Sequence, residues 1–103
     1  MTDREIITDY RDIVRDYHST MLHLAWNIRH RLPALSMPAQ LEELKAALLR
    51  FDDILDTIPD RRTRNILRGR YALGLTISDV AIGMGLSRAT VQRICDSALA
   101  GMR

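Results

Sequence analysis

The stretch from Gly74 to Leu99, GLTISDVAIGMGLSRATVQRICDSAL, constrains the fold of this chain more than any other segment. Thr76 has the form of a helix N-cap, with Asp79 three residues on to interact with the positive end of that helix. Val80 and Met84 fall on one inward face, and Ala81 is small where a following helix must cross close above it. Gly85 stands where the turn requires a positive φ, which glycine adopts without steric cost. Leu86 plugs the corner, Ser87 caps the next helix, and Val91 and Ile94 form its inner face. These positions together predict a helix-turn-helix.

The outward face of the second helix carries Arg88, Ala89, Thr90, Gln92 and Arg93, the expected base-contacting residues. Arginine can grip guanine O6 and N7, glutamine can grip adenine N6 and N7, and Ala89 or Thr90 can touch a thymine methyl. The free N–H groups at Thr76 and Ser87 suit phosphates. Arg61, Arg62 and Arg64, in the first turns of the preceding helix, are the other expected phosphate contacts. That helix is expected to begin at Pro59 and run through Ile66, Leu67, Tyr71 and Leu73 to Gly74.

The net charge of +2 is divided unevenly: residues 1–56 carry 7 basic and 10 acidic side chains, residues 57–103 carry 8 and 3. Such a division suggests that the second half meets a polyanion. No apolar run reaches the roughly 18 residues of a membrane span. The single cysteine, Cys95, excludes an internal disulfide and a cysteine-based zinc site. His23 and His30 lie roughly 10 Å apart along one helix stripe, too far to share a metal. No nucleophile–base arrangement is present, so the sequence predicts no enzyme, no metal and no cofactor.

The first half reads as two helices. Thr2 and Glu5 form a capping box that opens a helix expected from Asp3 to about Arg31, stopped by Pro33 and roughly 43 Å long. Ile7, Val14, Met21 and Ile28 recur every seven residues, with Tyr10, Tyr17 and Leu24 between them, giving a seam for a partner helix. A second helix, with Pro38 in its first turn, carries Leu41, Leu44, Leu48, Phe51, Leu55 and Ile58 as its seam. Joined by a short break, the two fold back as an antiparallel hairpin. Such a hairpin seldom stands alone. Trp26 and Leu22 on a second edge, with Leu44, Leu48 and Phe51, are therefore the expected dimer or docking surface. The expected organisation is all-α: a hairpin over 1–56 for dimerisation or docking, then a three-helix DNA-binding unit over 57–103.

From Ile58 onward the chain resembles region 4 of sigma-70-type factors. The matching residues are Ile58-Pro59-Asp60-Arg61, Arg70-Tyr71, Gly74-Leu75-Thr76, Val80-Ala81, Ser87-Arg88 and Ala98-Leu99. The resemblance implies that Arg88, Ala89, Gln92 and Arg93 face bases. Housekeeping factors place a glutamate where this chain has Ala89, so their usual promoter hexamer is not implied. A chain of 103 residues has no room for the promoter-melting regions. Its layout resembles small phage or prophage transcriptional regulators of the RinA/ArpU type.

The expectation is a sequence-specific double-stranded DNA-binding regulator, a homodimer, phage or prophage encoded and acting in the bacterial cytoplasm on the nucleoid. Two alternatives use the same motif: the DNA-recognition small subunit of a packaging terminase, and a protein that binds RNA polymerase in place of sigma region 4.

Overall fold

The structure, a computed structural model, describes residues 1–102. Six α-helices account for it: α1 (Asp3–Thr8), α2 (Tyr10–Arg29), α3 (Met37–Asp56), α4 (Arg61–Leu67), α5 (Ile77–Met84) and α6 (Arg88–Ala100). A π-helical turn, Arg68–Ala72, continues α4. There is no strand among the described residues, and the chain is all-α.

The expected long first helix is broken. Thr8 turns its hydroxyl back onto the Arg4 and Glu5 carbonyls at 3.0 and 3.4 Å, a bond that competes with the helix ladder and bends it. The chain turns at Asp9, and α1 lies across α3 instead of extending α2. With the chain turned, Ile6 and Ile7 are both buried.

In this position α1 clamps two helices. Asp3 receives both Nε and Nη2 of Arg50 on α3, at 3.3 and 3.2 Å. The next residue, Arg4, donates from Nε to the Leu99 carbonyl near the end of α6, at 3.1 Å.

Helices α2 and α3 pack antiparallel. Tyr10 stacks on Phe51 with ring centroids 3.9 Å apart, and Asn27 meets Met37 at the other end. The seam keeps Tyr10, Tyr17 and Leu24, and Ile7 on α1 is buried as expected, but along α2 the second row is Ile13, Thr20 and Asn27 rather than Val14, Met21 and Ile28. The row lies one residue earlier because Asn27 is committed to the loop, donating from Nδ2 to the Pro33 carbonyl at 3.2 Å. Met21 and Ile28 are consequently exposed. On α3 the seam is as expected, with Ala47 and Ile54 added.

One hydrophobic core runs through both halves of the chain. Ile7, Ile13, Phe51 and Leu55 join Ile66, Leu67, Val80, Val91 and Cys95 in a single cluster. Between Val14 and Ala46 only Asn27 is buried, so the far end of the hairpin packs on nothing but itself. The molecule is accordingly elongated, 54 × 25 × 16 Å. No helix among the described residues is long and apolar enough to cross a membrane.

Candidate nucleic-acid interface

The reading unit is assembled from its caps. Asp60 caps α4, which starts at Arg61 rather than Pro59: its carboxylate accepts from the Arg62 N–H at 3.2 Å and the Thr63 hydroxyl at 2.7 Å. The Thr63 bond leads in holding the Asp60 carboxyl below its ordinary value. The π turn that follows presents Gly69 to Val80, with only a van der Waals gap where a Cβ would be. It closes at Gly74, whose φ of +70° lets the Leu75 N–H reach back to the Gly69 carbonyl at 2.9 Å.

Helix α5 begins at Thr76, whose hydroxyl accepts from the Asp79 N–H at 3.1 Å. It ends at Gly85 with φ +67°, as the turn requires. Val80 and Ala81 are buried, while Met84 and Leu86 pack against the core. Ser87 then caps α6, accepting from the Thr90 N–H at 3.1 Å. Val91 and Cys95 face inward at 0% and 1% exposure. Burial pushes the Cys95 thiol up from its ordinary value, so it is a packing residue and a poor nucleophile.

The outward side of α6 presents Arg88, Ala89, Gln92 and Arg93, all exposed. Among the described residues no hydrogen bond or ion pair engages Arg88 or Arg93, and both guanidinium groups are free for a ligand. Thr90 is different. It is half-buried, and its hydroxyl lies 2.8 Å from Ser87 Oγ, where it completes the cap instead of standing outward. Gln92 donates from Nε2 to Asp96 Oδ1 at 2.8 Å. Asp96, one turn beyond Gln92 on the same face, was not among the expected residues, although the spacing of four that links them is visible in the sequence.

The three arginines of α4 separate. Arg61 is exposed. Arg62 lines a shallow depression with Thr63, Ile94, Ser97 and Ala98, beside the second half of α6 and away from its capped end. Arg64 bonds through Nη1 to the carbonyls of Ile58 and Pro59, at 2.5 and 3.2 Å, and so clasps the linker between α3 and α4. Arg70 likewise turns inward, to the Leu75 carbonyl at 2.9 Å.

The expected dimer or docking residues also divide. Phe51 is 2% exposed beneath Tyr10. Leu44 and Leu48 are half-buried against the same core, so these three serve the hairpin itself and not an outer surface. Leu22 and Trp26 stand exposed, together with Met21 and Ile28, which the expected seam had concealed, and with Leu32 and Leu35 of the break between the helices.

Residues 54–103 match the family described as Sigma-70, region 4. Comparison of the chain with curated proteins and with solved structures gave no match. The capped α5–Gly85–α6 unit lies inside the matched segment, so residues 54–103 form a helix-turn-helix similar to sigma-70 region 4.

Proposed function

We propose that the chain is a sequence-specific double-stranded DNA-binding transcriptional regulator, encoded by a phage or prophage, that acts as a homodimer on the bacterial nucleoid. The carrying observation is the outward face of α6, where Arg88 and Arg93 flank Gln92 with no internal partner for either guanidinium. The eight basic residues against three acidic in residues 57–103 support attraction to a polyanion.

One helix-turn-helix makes few base contacts, and two related by a twofold axis read half-sites about 34 Å apart. The far end of the hairpin supplies a surface for such a pair. Leu22 and Trp26, one turn apart on α2 and both exposed, support such a pairing. Leu35 is held at φ +52°, a conformation that branched side chains rarely adopt, with its side chain 82% exposed.

Selection of bound duplexes from random DNA tests the reading, together with the solution mass. The expected results are a repeated half-site and a mass of twice the chain, reduced to one chain by Trp26→Glu. A protein that enriches no duplex would overturn the proposal. A second reading, docking on RNA polymerase, draws on the exposed Leu73 and Ile82 of the motif. Replacing both Arg88 and Arg93 by Ala decides between them, because only a docking protein keeps its activity.

A further inference from the structure

We infer that Asp96 is a positioning residue for base readout, locking the Gln92 amide in the orientation that accepts adenine and refuses guanine. The inference rests on the DNA-reading role proposed above for α6.

The two side chains lie one helical turn apart on the outward face, both exposed, with Gln92 Nε2 2.8 Å from Asp96 Oδ1. Chemistry fixes which end of the amide points to Asp96. A carboxylate only accepts hydrogen bonds, so the NH2 end must face it and Oε1 must face away. One N–H of that NH2 group is used, and the second remains free.

Adenine presents N7 as an acceptor and N6 as a donor in the major groove, and guanine presents N7 and O6, both acceptors. The locked amide offers one free donor and one acceptor, side by side, which complements adenine. Against guanine, Oε1 would meet O6, acceptor against acceptor. An unrestrained glutamine avoids this by rotating its terminal torsion to present NH2 to the guanine acceptors. That torsion is broad and roughly twofold, so little opposes the rotation. In this chain the rotation breaks the bond to Asp96 and turns Oε1 toward a carboxylate. Asp96 thus converts a permissive reader into a selective one, without touching the base.

The alternative role for Asp96 is a plain negative charge that weakens all DNA binding through repulsion from phosphates. The two roles leave different signatures. Random-duplex selection is run on the full chain and on the variants Q92A, D96A and D96N, with helicity checked by circular dichroism. We expect the wild type to favour adenine at one position of its site and Q92A to lose that preference. D96A should lower the adenine-to-guanine ratio at that same position by fivefold or more. D96N, whose amide can both accept and donate and so pairs with either orientation of Gln92, should lower the ratio as D96A does, and both variants should gain overall affinity. An adenine-to-guanine ratio unchanged within twofold in D96A, or altered at a position that Q92A leaves alone, overturns the inference. So does D96N keeping the wild-type ratio. In those cases the wild type still enriches a site, whereas failure of the DNA-reading role itself appears as no enrichment at all.

Discussion

The guanidinium of Arg11 on α2 lies against the backbone of Gly74, in the space that a Cβ at this position would need. The contact joins the hairpin to the segment immediately before α5. Gly74 is therefore constrained twice, by its φ of +70° and by its neighbour. Gly74→Ala is expected to destabilise the fold by about 1–3 kcal/mol, chiefly through the left-handed backbone, because the end of the arginine can move aside. Urea unfolding of the single variant and of the double variant with Arg11→Ala separates the parts. A loss under about 0.5 kcal/mol in the single variant would show that the turn adapts.

Phe51 and Leu49 sit two residues apart on α3 and should respond very differently. Phe51 is 2% exposed and stacked on Tyr10, so Phe51→Ala is expected to cost about 3–5 kcal/mol. Leu49 is 61% exposed on the opposite side of the helix, and Leu49→Ala should stay within about 0.5 kcal/mol. Denaturant midpoints of the two variants check this, and similar values for both would contradict the assigned seam.

Arg88 and Arg61 are expected to act through different parts of the DNA. Arg88→Ala should cost about 1–3 kcal/mol of affinity and relax preference at one base pair, as loss of a bidentate base contact does. Arg61→Ala should weaken all duplexes alike and reduce the salt slope by about one. Fluorescence anisotropy titrations over a range of salt concentrations measure both. A uniform loss from Arg88→Ala would move it to the phosphate class.

The Asp60 cap gives the fold a defined acid sensitivity. Its carboxyl, held low mainly by the Thr63 hydroxyl, has an ordinary value of 3.8 when unfolded. A depressed folded value stabilises the fold above that ordinary value, and the contribution fades as pH falls through the lower folded one. The stability gap between wild type and Asp60→Ala should be full near neutrality and shrink below about pH 4. Thermal melts across that range test it, and a gap that widened in acid would be inconsistent with a charged cap.

The helix-turn-helix was legible in the sequence because its key positions tolerate few residue types. Thr76 and Ser87 cap, Gly85 takes a positive φ, and Ala81 and Val91 are buried, all where their chemistry placed them. The hairpin was legible in outline but misread by one residue on α2. Periodicity favours apolar side chains, and the true seam includes Thr20 and Asn27, whose places depend on packing and a loop carbonyl that no local pattern reveals. The break after Thr8 was hidden for a related reason: a backward hydroxyl bond leaves no mark in hydrophobic spacing. Arg64 resembled its neighbours in sequence, yet only the fold shows that its guanidinium belongs to the Ile58 and Pro59 carbonyls.

Helix α1, six residues long, grips α3 through Asp3 and the end of α6 through Arg4. Hairpin and reading helix thus turn as one lever and not as two beads on a string. In the proposed pair, the distance between reading heads is a ruler cut into the protein, with no slack to take up. Such a pair would be sensitive to phase: half a turn of duplex inserted between half-sites should silence it, and a whole turn should not restore it fully.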